Sequence, residues 1–273
     1  MAGQLIFLDK NRADPDFAEA STYASELDDL SEKVVDRKNI SAWITEASLD
    51  ANNTYIELRF GRVTPIDFLL LILHNFKAAN AKYWNEDTSA FSNLLDEDGV
   101  AISWSGLTDA LNTTFYRCTP VNTSIIRITI TGTITANDAK RLTQFIATEE
   151  IWTLEGWPMI TDTLVGRDVD DIDMADGLGN VIDRQGRFSC KLSVSPYTLQ
   201  DDVDALYSLY NRVYGFLLWP CGGDEDQFTP LTEGSRLEDI YLGRFTTRFS
   251  PERFKGIYPG GINWSAKFRE TNE

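Results

Sequence analysis

The chain is poor in the residues that carry most enzyme chemistry: one histidine and three cysteines in 273 residues. Cys118, Cys190 and Cys221 lie far apart, so no C-x-x-C redox pair or zinc knuckle can form locally. An odd count leaves a thiol unpaired within the chain, which fits reduced cysteines in a protein folded in a reducing cytoplasm. A Ser-His or Cys-His nucleophile would have to use His74, which closes the apolar run Phe68–Leu73. That setting predicts a structural histidine at a strand end, hydrogen-bonded to a loop. No phosphate-binding glycine loop, G-x-S-x-G or H-E-x-x-H is present. The run Phe68–Leu73 falls far below the ~18–20 residues of a bilayer span. The N-terminal patch Leu5–Leu8 runs straight into charge, unlike a secretory leader. These absences predict a soluble, non-exported protein that is not an enzyme and needs no cofactor.

Basic residues are also scarce. Lys and Arg number 25 against 42 Asp and Glu, a net charge of −17. A generic nucleic-acid binder needs the opposite balance, and an anionic membrane surface would repel this chain. Scattered carboxylate pairs such as Asp96/Asp98 and Asp201/Asp202 are expected by chance among so many acids, so they do not argue for glycoside hydrolysis. The cluster Asp168, Asp170, Asp171, Asp173 and Asp176 suggests calcium, but Ile172 and Asp173 break the loop pattern and no Glu closes it. It reads as a solvated acidic arm, with no metal assigned.

What is abundant is apolar and aromatic residues, 42% and 12% of the chain, enough to bury real cores. Residues 14–36 are acid-rich and read as a solvated loop or short helix. Strand alternation is clear at Tyr55–Phe60, where Ile56, Leu58 and Phe60 share one face. It returns at Ile126, Ile128 and Ile130, whereas Ile66–Leu73 is apolar on both faces, as in a strand between layers. Further strands fit near 80–85, 100–104 and 142–154. Trp43, Trp104, Trp219 and Trp264 sit in strand-like contexts where core packing is expected.

Composition shifts at Gly156-Trp-Pro158, which predicts two domains, 1–156 and 157–273. The second opens with a linker or extended arm, 161–186, then a strand from Arg187 to Ser195. A helix is predicted over 198–214, with Val203, Leu206, Tyr210, Val213 and Tyr214 on one face and Gly215 as its C-terminal cap. Phe216–Trp219 and two alternating segments, 241–249 and 262–269, complete a β-rich domain. Residues 236–269 hold seven bases (Arg236, Arg244, Arg248, Arg253, Lys255, Lys267, Arg269) against three acids (Glu238, Asp239, Glu252). Arg244, Arg248, Lys267 and Arg269 fall on outward positions and are the interface candidates, with 14–36 or 168–176 of another copy as acidic acceptor.

Read as a set, Asn39–Trp43, Tyr55–Gly61, Ile66–Asn75 and Ile125–Ile130 resemble a discoidin-type jelly roll, an antiparallel β-sandwich, of the kind found in bacteriophage tail proteins. The segment Ala139–Pro158 is similar to the one that closes that domain. Arg187–Ser195, helix 198–214, Gly215–Pro220 and the final strands resemble the belt of phage distal or minor tail proteins. The resemblance implies a structural virion protein near the tail tip or baseplate, assembled in the host cytoplasm as a ring with tube and hub proteins as partners. The alternative it leaves open is a carbohydrate-binding module for host-surface glycans.

Overall fold

Ile56, Leu58 and Phe60 are buried, as are Ile126, Ile128 and Ile130, so the alternation in these two segments sets which side of a sheet faces the core. The computed structural model describes residues 4–14, 21–27, 31–36, 41–46, 49–154, 159–172, 180–194, 205, 207–212, 215–222, 240–246, 252–253 and 262–270. The described chain is mainly β, the class expected from its alternation. It separates into two units, Asp9–Glu150 and Met1–Leu8 with Ile151–Glu273.

The Asp9–Glu150 unit holds β2 (Ser21–Ala24), β3 (Trp43–Ile44), β4 (Tyr55–His74), β5 (Phe76–Asn85), β6 (Ala90–Asn93), β7 (Ser103–Trp104), β8 (Asn112–Thr133), β9 (Arg141–Leu142) and β10 (Gln144–Thr148). Its main sheet runs β10-β4-β8-β5-β6, with β2 added to β4 and β7 to β5, all antiparallel. β4 and β8 are long, and their register slips between Arg59 and Thr64 and between Ile66 and Phe68. From Ile66↔Val121 to Leu69↔Tyr116, β4 advances three residues and β8 five, both odd, so both strands exchange their inward and outward positions. Ile56, Leu58, Phe60 and Ile66 therefore share a core with Leu69 and Leu71, of opposite parity. Trp43 and Leu142, from the separate β3–β9 pair, and Phe145 complete that core. Phe68–Ile72 are buried on both faces, as their uniformly apolar sequence predicts.

The other unit holds β1 (Gln4–Leu8), β11 (Glu150–Leu154), β12 (Met159–Ile172), β13 (Asn180–Val194), β14 (Phe216–Gly222), β15 (Tyr241–Phe245), β16 (Glu252–Arg253) and β17 (Ile262–Glu270). Its sheet order is β11-β1-β14-β15-β17-β13-β12, with β16 on β17. Phe7, Leu209, Phe216, Leu218, Ala266 and Phe268 form its core.

Four expectations change. The division falls at 8/9 and 150/151, not after 156, because the apolar patch Ile6–Leu8 pairs with Leu217–Trp219 of β14 and so joins the second unit. The acid-rich 14–36 forms a short 3-10 helix at Ser31–Val35, one of its two expected forms, but it also holds β2, which pairs with β4, and Asp14 is buried and not solvated. The expected arm 161–186 is strand where described, since β12 and β13 pair from Met159↔Ser193 to Ile172↔Asn180. Gly215 lacks the left-handed backbone of a helix cap. Its missing Cβ matters because one would stand 2.7 Å from the Gly243 carbonyl oxygen. Of helix 198–214, residues 205 and 207–210 are helical, Leu209 is the buried residue and Tyr210 packs beside it. Val203, Leu206, Val213 and Tyr214 lie outside the described residues.

Candidate functional site

The side of the Asp9–Glu150 sheet opposite its core is not the run of small polar residues that an idle solvent face usually carries. Cross-strand register builds it. Tyr23 of β2 stands opposite Glu57 of β4, Glu57 opposite Arg127 of β8, Arg127 opposite Lys82 of β5, and Lys82 opposite Asn93 of β6. Further along the strands, Arg59 stands opposite Ile125, and Trp84 opposite Phe91. Tyr55, Thr129, Asn80 and Ser103 form the row on the other side.

Glu57 is the centre of this face and is fully buried. A buried carboxylate must be paired, and two arginines hold it. Arg127 donates from Nε to Oε1 at 2.7 Å and also from Nη2; Arg59 donates from Nε to Oε2 at 2.8 Å, with its Nη2 at 2.7 Å. The aromatic rings lie against the guanidinium planes. Arg59 sits 4.5 Å from the Tyr23 ring centroid, and Arg127 sits 4.2 Å from Tyr55 and 3.7 Å from Phe91. Tyr23 stacks near Tyr55, and Trp84 meets Phe91 edge-on. Such cation–π contacts fix both arginines while leaving outer edges in water. The Tyr23 residue is 45% exposed, as is the Arg59 side chain. Burial, with Glu57 adding, raises the Tyr55 phenol, so it stays protonated at neutral pH and can donate a hydrogen bond.

None of these residues was singled out from the sequence. Each is ordinary alone, and only register brings them together. The available signal was that the outward positions of 55–59 are Tyr, Glu and Arg rather than Ser, Thr or Lys.

His74 ends β4, fully buried. The Phe76 backbone N–H donates to its Nδ1 at 3.2 Å, so Nε2 carries the proton and faces Thr114 Oγ1 at 3.0 Å. It stacks on Phe76, and burial lowers its pKa to about 3. The strand-end position expected of it is observed, but its partners belong to β5 and β8 and not to a loop. Cys118 is buried and its thiol is pushed up to about 12 by that burial, with Asp67 and Glu97 adding, which makes it unreactive. Lys140 is also fully buried, its Nζ 3.7 Å from Glu26 Oε1. Asp67 is raised to about 6, by burial first and then by Glu149 and Glu150, although the Glu150 N–H donates to it at 2.6 Å. Among the described residues no group of His, Cys, Asp and Glu could hold a metal ion. Trp43 and Trp219 are fully buried and Trp104 is half-buried, its indole N–H donating to the Phe76 carbonyl; the Trp264 side chain is outside the described residues.

The interface candidates divide. Arg244 and Lys267 are exposed, and Arg269 is half-buried directly opposite Arg244 across β15 and β17. Arg248 lies outside the described residues.

No protein-family model and no curated protein matches the chain. Similar solved structures include a carbohydrate-binding module, CpGH89CBM32-5 from Clostridium perfringens, in complex with GalNAc-β-1,3-galactose. It is 12% identical, covers 48% of this chain and 95% of its own, and has a TM-score of 0.39. A chitosan-binding module of a Paenibacillus sp. IK-5 chitosanase/glucanase, in complex with chitotriose, is 17% identical over 51% of this chain and 100% of its own, with a TM-score of 0.40. The family 32 module of NanJ from C. perfringens, in complex with galactose, is 11% identical over 53% and 99%, with a TM-score of 0.38. At such values any ligand must be argued from this chain's own residues.

Proposed function

We propose that this chain is a non-enzymatic binding protein whose Asp9–Glu150 unit recognises carbohydrate. One observation carries the reading: an open sheet face on which Tyr23, Tyr55, Trp84 and Phe91 are held beside a fixed Arg–Glu–Arg network. Sugars present flat C–H faces and a ring of hydroxyls. They are bound by exposed aromatic rings, with planar polar groups that accept or donate at set angles. This face supplies both, prearranged by buried bonds. The test is a glycan array probed with the whole chain and with Tyr23→Ala. Saccharide binding that falls at least tenfold in the variant supports the reading, and an array without binding refutes it.

A second reading concerns the chain as a whole. The resemblance to tail-tip proteins, with Arg244 and Lys267 exposed on the Met1–Leu8/Ile151–Glu273 sheet, supports an assembly role in a phage-like tail. In that reading the carbohydrate module is mounted on a scaffold that associates with copies of itself. Oligomer mass measured against salt for wild type and Arg244→Glu tests it. A concentration-independent monomer for wild type would remove it.

A further inference from the structure

We propose that the open face of the Asp9–Glu150 sheet selects carboxylate-bearing sugars, with the outer edges of Arg59 and Arg127 and the ammonium of Lys82 as the acid-binding subsite. The inference rests on the carbohydrate reading and adds to it a ligand class and a place.

Charge is the first argument. The chain carries −17, yet this face sets one carboxylate, Glu57, against three cations, Arg59, Arg127 and Lys82. Glu57 neutralises one of them, and two positive charges are left on neighbouring strands. Like charges placed opposite each other across a sheet, as Arg127 and Lys82 are, oppose folding unless something answers them.

Geometry is the second. A guanidinium has five N–H groups in a planar fork. Glu57 engages Nε and Nη2 of each arginine and not Nη1. The bonds that fix the two guanidiniums therefore leave one edge of each for an incoming planar anion, and a carboxylate suits such an edge.

The surroundings then favour a sugar acid over an acidic peptide. Next to the cations lie Thr129, Asn80 and Asn93, short polar side chains matched to hydroxyls. Tyr23 offers exposed ring surface at one end of the row.

The test is calorimetric titration of the whole chain with a galacturonate tetramer and its methyl ester, and with 3′-sialyllactose and lactose. The first pair differs in the carboxylate charge, and the second by one whole carboxylate-bearing residue, so the first attributes to the acid any preference that the second shows. The expected result is that at least one acid binds ten-fold or more tighter than its neutral partner. Lys82→Glu, which leaves Glu57 itself unaltered and reverses the charge opposite Arg127, should cancel that preference, and Tyr23→Ala should weaken acid binding. Thermal melts confirm that both variants fold. Equal binding of acid and neutral forms overturns the acid subsite and leaves the carbohydrate reading standing. Acid binding untouched by Lys82→Glu and Tyr23→Ala places the site elsewhere and overturns the location. Binding of none of the four, with an empty glycan array, refutes the parent reading as well. If Lys82→Glu instead dissolves a low-salt oligomer without affecting any sugar, the face docks an acidic segment of another copy and the inference is wrong.

Discussion

The two faces of the Asp9–Glu150 sheet are made by the same strands, residue by alternate residue, and they are stabilised in different ways. On the inner face Ile56, Leu58, Ile126, Ile128 and Ile130 are fully buried among apolar neighbours. On the outer face Tyr55, Glu57, Arg59 and Arg127 are held by ion pairs and ring stacking, with Glu57 as deeply buried as any isoleucine. The inner face gains from removing area from water, a non-directional effect. The outer face gains only if every bond is made. A face of the first kind tolerates change in shape and serves stability. One of the second kind holds side chains at set angles, which recognition requires.

The comparison breaks first at the core. Ile128→Ala should cost about 3 kcal/mol, from lost burial and the cavity left behind. Urea unfolding that shows less than 1 kcal/mol would mean the inner face is loosely packed.

Glu57→Ala should come next. It removes the centre of the network and leaves Arg59 and Arg127 in mutual repulsion. Both arginines keep some water, so the loss should be about 2–3 kcal/mol rather than that of a wholly buried pair. The double replacement Glu57→Leu/Arg127→Leu should recover much of it, which a double-mutant cycle measures.

The alternation of these strands was legible in the sequence, and so was the mainly β class, because a period of two needs only local residues. The structural role of His74 was legible too, from the apolar run before it. The outer cluster was not, because Glu57 and Arg127 are 70 positions apart, and only long-range register brings them together. The same reason hid the partner of Ile6–Leu8: β14 lies at the far end of the chain. Gly215 was placed as a helix cap from local context, when its neighbour across the sheet, Gly243, decides the matter.

A pH series sharpens the contrast between buried charge that is answered and buried charge that is not. Asp67 is raised to about 6, above its unfolded value of 3.8, so its neutral form favours folding. That contribution is full below about pH 4 and is lost as pH rises through about 6. Asp67→Asn should therefore raise the melting temperature by roughly 2–4 °C at pH 7.5, with the gain vanishing near pH 4. His74 acts in the opposite sense. Its folded value near 3 lies below the unfolded 6.5, so stability falls as pH drops from 6.5 towards 3. A melting temperature for Asp67→Asn that matches wild type at pH 7.5 would show that water already reaches the carboxyl.

The smallest effect on stability belongs to Tyr23→Ala. With the ring 45% exposed, melting should shift by less than about 1 kcal/mol equivalent while saccharide binding is lost. A large destabilisation would make Tyr23 part of the fold and not a contact surface.

The chain leaves β1 at Leu8, builds all of Asp9–Glu150, and returns at Ile151 into β11, the strand beside β1. This path has a consequence during synthesis. Ile6, Phe7 and Leu8 leave the ribosome before that unit, and their partner β14 follows more than 200 residues after them, on the order of ten to forty seconds at ordinary elongation rates. The inserted unit is complete well before then. Once folded it pins its own ends, through the Asp9 N–H bond to the Glu149 carbonyl at 2.9 Å and the Arg12 ion pairs with Asp9 and Glu149. Closing so long a flexible loop would cost about 4 kcal/mol of chain entropy. The nascent chain meets that cost in advance, so the last strands arrive at a template whose first two strands already lie side by side.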